Sequence, residues 1–249
     1  MTILSAGLVI GVGFCSGFLN VLAGGGSLLS IPLLVFMGLD VSVANATNRV
    51  GVLFQNVVAA HQFRKKSLVT VRDSAFFGLP AMAGALIGTF GAVNLDERYL
   101  SIAVAILITA MAVLLLVKPD MWEREREVPI SKWVVAAFMF VIGIYGGFVQ
   151  AGVGFFLLWA IVGAAGKDLL HANALKVVIV ALFTTLSLAI FLYHGLVDFY
   201  LGTLLAIGNF VGGAMGARFA ILKGNRWLRW ILSIVVTASA VQMLINVLR

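Results

Sequence analysis

The chain is predicted to be an all-α polytopic membrane protein of about ten transmembrane segments, in two inverted-topology repeats of five, with short broken helices after glycine-rich stretches. Three observations predict this. First, 62% of the 249 residues are hydrophobic and only 11% are charged, about half the charged fraction of a soluble domain. Second, residues 23–113 resemble residues 151–241 at a fixed offset of 128, with roughly two dozen identities over about ninety positions. Third, the basic loop shifts by one segment between the two copies.

No charged side chain precedes Asp40, and residues 74–95, 99–117, 133–166, 177–193, 199–217 and 230–248 contain no Asp, Glu, Lys or Arg. Each of these six runs approaches or exceeds the roughly 20 residues a helix needs to cross the hydrocarbon core. The first half reads as segments 3–22, 25–39, 42–63, 74–94 and 98–117. The second reads as 133–151, 153–166, 170–193, 199–218 and 228–248. The N-terminus has no basic region or small-residue cleavage site, so it reads as an uncleaved first segment. In each half the second segment is short and follows a glycine-rich stretch, and Pro32 is expected to interrupt the first copy. Residues 118–132 carry four acids and four bases and form the linker, so the chain divides into repeats 1–117 and 133–249.

Loop 64–72 carries Arg64, Lys65, Lys66 and Arg72, whereas its equivalent near 192–200 has only His194 and Asp198. Loop 218–229 carries Arg218, Lys223, Arg226 and Arg229, whereas its equivalent near 90–101 has Asp96, Glu97 and Arg98. Under the positive-inside rule, equivalent loops then face opposite sides. Ten spans with both termini outside and a cytoplasmic linker satisfy this. The net charge of +7 thus reads as a topology signal, and nucleic acid is not an expected partner. Cys15 is the one cysteine, which excludes an intrachain disulfide.

Ala23-Gly24-Gly25-Gly26 aligns with Ala151-Gly152-Val153-Gly154, and Ala44-Asn45-Ala46 with Ala172-Asn173-Ala174. The third segment then carries Thr47, Asn48, Arg49, Gln55 and Asn56, and the eighth carries Lys176. Polar groups in lipid are costly unless they face protein or a wet cavity. By helical steps, Asn45, Asn48, Arg49, Val52 and Asn56 are expected near one face, with Gln55 beside it. One cation per half suits a small anion. The glycine-rich breaks, with Gln150, would add helix N-termini, where free N–H groups favour anions. Asn45 and Asn173 could equally be helix N-caps or groups that hydrogen-bond between helices. The Gly24–Ser27 run lacks the Gly-Lys-Ser/Thr end of a phosphate loop. No His-Glu-x-x-His occurs, and His61, His171 and His194 are scattered. No enzymatic activity, metal or cofactor is expected.

Ala23-Gly24-Gly25-Gly26-Ser27-Leu28-Leu29-Ser30-Ile31-Pro32, Ala44-Asn45-Ala46-Thr47-Asn48 and Lys66-Ser67-Leu68-Val69 carry a family likeness. So do Gly146-Gly147-Phe148-Val149-Gln150-Ala151-Gly152-Val153-Gly154, Ala172-Asn173-Ala174-Leu175-Lys176 and His194-Gly195-Leu196-Val197-Asp198. In this order the chain resembles the TauE/SafE family of membrane proteins over nearly its whole length. The resemblance implies export of small sulfur-containing anions such as sulfite, sulfoacetate or related sulfonates. Arg49 and Lys176 depart from the commoner family pattern, and both add positive charge.

The expected activity is therefore secondary transport by alternating access, in the inner cell membrane, with the bilayer and a small anion as partners; a homodimer is allowed. An anion channel, or a transporter of small carboxylates, is the alternative. The candidate substrate-binding residues are Gly24, Gly25, Gly26, Asn45, Thr47, Asn48, Arg49, Gln55, Gln150, Gly152, Gly154, Asn173 and Lys176.

Overall fold

A computed structural model describes residues 3–94 and 130–247, and every described element is a helix. In order these are α1 (Ile3–Leu22), α2 (Ser27–Phe36), α3 (Val41–Lys65), α4 (Val71–Asn94), α5 (Lys132–Phe148), α6 (Val153–Ala165), α7 (Leu169–Tyr193) and α8 (Phe199–Val247). The expected segment 98–117 and most of the linker lie outside the described residues.

The 128-residue offset carries both ends of α3 onto those of α7, and the start of α4 onto the start of α8. Equivalent helices begin at equivalent polar residues. Asp40 is the N-cap of α3 and Asp168 that of α7. Asp168 Oδ1 accepts from Leu170 N at 2.9 Å and His171 N at 3.2 Å, which satisfies two of the free donors at a helix start. Burial raises the Asp168 carboxyl. The side-chain bond to His171 and the two backbone N–H groups outweigh it, so the group titrates below the usual carboxylate range. With Asp40 and Asp168 at the N-cap positions, Asn45 and Asn173, five residues further on, are not caps.

The short helices fold back on the helices before them. Ser30 Oγ of α2 lies 3.3 Å from Ser16 Oγ of α1, and a Cβ on Gly26 would collide with the Ser16 carbonyl. In the second half, Tyr145 and Phe156 rings meet at 5.2 Å and Phe138 and Trp159 rings at 5.8 Å. Contacts that spread outward from a turn on both strands of chain define an antiparallel hairpin. At 1.5 Å per residue, α2 with 10 residues is about 15 Å long and α6 with 13 about 20 Å, against a hydrocarbon core of about 30 Å. Four described helices are long and apolar enough to cross a membrane, namely α1, α4, α7 and the first part of α8. The count of ten full spans is therefore not reached among the described residues. Pro32 lies inside α2 without ending it. Loop 218–229 is reduced to one break, at Gly224 (φ 69°), inside the helical run of α8.

Long-range packing joins one helix of each half. α1 runs along α8, α4 along α5, α3 along α8 and α4 along α7, while α3 meets α7 at the centre. Small residues set these distances. A Cβ on Gly84 or Gly88 would strike the Phe140 or Ile144 carbonyl of α5. At the equivalent seam, Gly208 and Gly212 press on the Ile10 and Phe14 carbonyls of α1.

Candidate functional site

The turns of the two hairpins meet. Gly24, between α1 and α2, has φ +91°, and Gly152, the N-cap of α6, has φ +74°. Both angles belong to the region where glycine carries no steric penalty. A Cβ on Gly24 would overlap the Gly154 Cα, and one on Gly154 would overlap the Gly24 Cα. The two glycine-rich stretches thus touch backbone to backbone. Gln150 enters the second turn at φ +65° without being glycine, and its side chain is 2% exposed.

Both cations are buried beside these turns. Arg49 of α3 has 0% exposure and Lys176 of α7 has 1%, so neither snorkels to an interface. Arg49 Nη1 donates to the Gly146 carbonyl at 3.2 Å and Nη2 to the Gly147 carbonyl at 2.7 Å. Its guanidinium also stacks 4.8 Å over the Phe191 ring. Lys176 Nζ donates to the Asn20 and Val21 carbonyls, each at 2.9 Å. These acceptors are in the last turns of α5 and α1, where carbonyls lack intrahelical partners and the helix dipole is negative. Each half therefore supplies the cation that caps the first helix of the other half. Arg49 and Lys176 are one position out of register at the repeat offset, yet their long stems reach equivalent helix ends. No described carboxylate pairs with either. Lysine has three donors and arginine five; Nε of Arg49 has no partner, and two bonds use only part of the ammonium's capacity.

The remaining candidates separate. Asn45 joins the Arg49 cluster, with Nδ2 donating to the Phe148 carbonyl at 2.9 Å and Oδ1 unpartnered. Gln150 Nε2 donates to Thr184 Oγ1 at 2.8 Å, leaving Oε1 unpartnered. Asn173, one turn before Lys176 on α7, is fully buried with both amide atoms unpartnered. Asn48 leaves the expected common face. Its Oδ1 accepts from Ser30 Oγ at 2.6 Å and its Nδ2 donates to Ser27 Oγ at 3.0 Å, so it ties α3 to the start of α2. At about 100° per residue, Asn45, Arg49 and Asn56 form one stripe, and Asn48, Gln55 and Gln62 another. Gln55 therefore lies against α8, where Gly213 admits it, away from the Arg49 network. Asn56 donates to its own Val52 carbonyl at 2.7 Å. Thr47 is also spent elsewhere, since its Oγ1 accepts from Asp198 N at 3.0 Å and anchors the α7–α8 turn. Gly25 and Gly26 form the first turn of α2, their carbonyls accepting from Leu28 N at 3.0 Å and Leu29 N at 2.9 Å.

The structure adds residues that the sequence did not single out. Thr89 Oγ1 of α4 lies 3.1 Å from the Gly147 carbonyl, 2.7 Å from the Ala85 carbonyl and 2.7 Å from Ser187 Oγ of α7. It thereby extends the Arg49 cluster to α7. A hydroxyl in an apolar helix ordinarily satisfies itself on the i−4 carbonyl, so Thr89 carries almost no signal in sequence. The clustered chemistry is positive charge and amide and hydroxyl hydrogen bonding. No group of three metal ligands occurs among the described residues.

The family model described as "Sulfite exporter TauE/SafE" matches residues 9–243. A "Probable membrane transporter protein ORF9" of Sinorhizobium sp is 27% identical over 93% of this chain and 89% of its own length. A "Probable membrane transporter protein" of Haemophilus influenzae is 28% identical over 92% of each chain. The "Probable membrane transporter protein YfcA" of Escherichia coli K12 is 26% identical over 96% of this chain and 89% of its own. No solved structure gives a significant match.

Proposed function

Since this chain belongs to the TauE/SafE family of membrane transporter proteins, we propose that its cargo is a small sulfur-containing or organic oxyanion, exported across the inner membrane by alternating access. The observation that carries this reading is the pair of buried cations at the meeting hairpin turns, with no described carboxylate opposing either. An oxyanion supplies the missing counter-charge and accepts from the donors that the helix ends leave unused. Asn45, Asn173 and Gln150, each with an unpartnered amide atom, provide further hydrogen bonds. The starts of α2 and α6 at Gly26 and Gly152 add positive dipole ends. Thr47 and Asn48 serve as structural ties, and Gly24, Gly25 and Gly154 shape the turns. The test is counterflow in proteoliposomes with sulfite, sulfoacetate, thiosulfate, sulfate and small carboxylates. Saturable exchange of at least one sulfur oxyanion is expected. Non-saturable conductance would make the protein a channel, and exchange confined to carboxylates would overturn the sulfur assignment.

The hairpins also support a topology. If α1–α2 and α5–α6 each enter and leave on one side, from opposite faces, and their turns meet inside the bilayer, α1 ends at its turn although it is long enough to cross, and each half keeps three complete crossings. In the first half these are α3, α4 and the segment that the sequence predicts at 98–117, outside the described residues; in the second they are α7 and the two parts of α8. Three is odd, so the halves stay inverted, as the shifted basic loops require. Both termini are then outside, with repeats 1–117 and 133–249 flanking a cytoplasmic linker. In a Cys15→Ser background, Ser67→Cys and Lys223→Cys are expected to label from the cytoplasm with an impermeant reagent. Labelling of the two from opposite faces would rule out the inversion.

A further inference from the structure

Gln55 and Asn209 are the buried polar residues that the cation cluster leaves unexplained. Both are 0% exposed. Neither amide atom of Gln55 has a partner, and Asn209 keeps its Oδ1 unpartnered while Nδ2 donates to the Leu205 carbonyl at 3.0 Å. They flank one crossing. A Cβ on Gly51 of α3 would lie 2.5 Å from Asn209 Nδ2, and a Cβ on Gly213 of α8 would lie 2.7 Å from Gln55 Cβ. Residues 51 and 55 of α3 thus run beside 209 and 213 of α8. α1 closes the third side, where a Cβ on Gly17 would lie 2.8 Å from the Asn209 Cα.

Helix packing does not call for these amides. At the repeat offset, Gln55 corresponds to Phe183 and Asn209 to Ala81, both apolar and fully buried. The equivalent positions of the other half are therefore filled without amides. Burying an amide without a partner is unfavourable, so its presence in one seam calls for a polar occupant. The stripe has a direction. It starts at Asn48 beside the start of α2, passes Gln55, and reaches Gln62, whose Nε2 donates to the Ala214 carbonyl at 3.1 Å. It ends at the basic turn carrying Arg64, Lys65 and Lys66.

We infer that Gln55 and Asn209 form an uncharged amide subsite for a small oxyanion on its way between the hairpin turns and the basic end of α3, and that the equivalent positions Phe183 and Ala81 leave the other half closed. This rests on the anion reading proposed above. Neutral amides suit a way-station, because they bind an oxyanion's oxygens without the full charge that would hold it there.

Two measurements test it. In proteoliposomes, Gln55→Leu and Asn209→Leu are each expected to slow sulfite counterflow about tenfold or more, while half-saturation changes less than about threefold, roughly 0.6 kcal/mol. In a Cys15→Ser background, cysteines at 55 and 209 are titrated with an anionic sulfonate-bearing methanethiosulfonate and with its cationic ammonium counterpart. The anionic reagent is expected to react at least about tenfold faster from the cytoplasmic side, with Phe183→Cys and Ala81→Cys inert to both. Wild-type rates in both Leu variants, or cysteines at 55 and 209 unreactive toward both reagents in folded protein, would overturn the subsite and leave the anion reading standing. Selective anionic labelling in a protein that moves none of the tested anions would support the amide path and sink the cargo assignment instead.

Discussion

Gly24→Ala is expected to abolish transport and to lower stability more than any other single alanine substitution at a glycine. Two penalties combine there. The φ of +91° places an alanine in a conformation costing about 1–2 kcal/mol. The new Cβ also overlaps the Gly154 backbone, and backbone cannot move aside as a side-chain tip can, so overpacking adds about 1–3 kcal/mol. Two companion variants separate the terms. Gly154→Ala carries the overlap without a positive φ. Gly38→Ala carries a φ of +99° with nothing within 4 Å of the Cβ. Thermal unfolding in detergent should rank Gly24→Ala below both, and counterflow should fail in Gly24→Ala and Gly154→Ala but persist in Gly38→Ala. If Gly24→Ala behaves like Gly38→Ala, the hairpin turns do not meet and the site has been placed wrongly.

Arg49→Met and Lys176→Met are each expected to weaken anion affinity roughly ten- to a hundredfold, a loss of about 1–3 kcal/mol typical of hydrogen bonds to charged groups. Methionine keeps the stem and its packing. Stability should change less than affinity, because two terms oppose each other. Each variant strands two carbonyls at a helix end, which is unfavourable, but it also removes a buried charge whose desolvation was costly. Arg49→Lys should be impaired as well. An ammonium cannot span the Gly146 and Gly147 carbonyls in one plane and stack on Phe191. Normal substrate affinity in both Met variants, with normal insertion, would reduce the cations to caps that clamp the two halves together. The anion would then have to rest on Asn45, Asn173, Gln150 and the helix starts.

Much of the helical layout was legible in the chain itself. Charge-free runs and the acidic residues Asp40 and Asp168 mark helix limits, because an ionised side chain is costly in lipid and useful at a cap. The hairpins were half legible. The glycine runs mark the turns at Gly24 and Gly152, but a 13-residue apolar run such as α6 has the same composition whether it crosses the bilayer or turns back. The break at Gly224 is hidden in the sequence, because Arg218, Lys223, Arg226 and Arg229 have the composition of a loop and yet lie in one helical run.

The candidate site divided along a different line. The residue types on α3 and α7 announced that a polar site exists, since Asn45, Arg49, Asn173 and Lys176 cannot face lipid cheaply. Their partners were not announced. Arg49 and Lys176 bond to backbone carbonyls, which every residue has, so no side chain at 20, 21, 146 or 147 reports the contact. Thr47 and Asn48 sit beside Arg49 in sequence, yet one anchors the turn at Asp198 and the other the serines of α2. Their assignment depends on which helix lies opposite each 100° step, and that is set by packing.

By itself, then, the sequence determined that this is a helical membrane protein of the TauE/SafE family whose two halves resemble each other at a fixed offset, with a cation in each. These properties follow from the cost of charge and bare backbone in hydrocarbon, which is paid locally, residue by residue. Only the tertiary structure decided that the hairpin turns touch at Gly24 and Gly154, that each cation caps the other half's first helix, and that Gln55 and Asn209 flank one crossing of α3 and α8. Inside a membrane the surrounding lipid is as apolar as a leucine side chain, so hydropathy cannot tell a lipid-facing surface from a protein-facing one. Close packing of glycines and the search of stranded donors and carbonyls for partners make that choice.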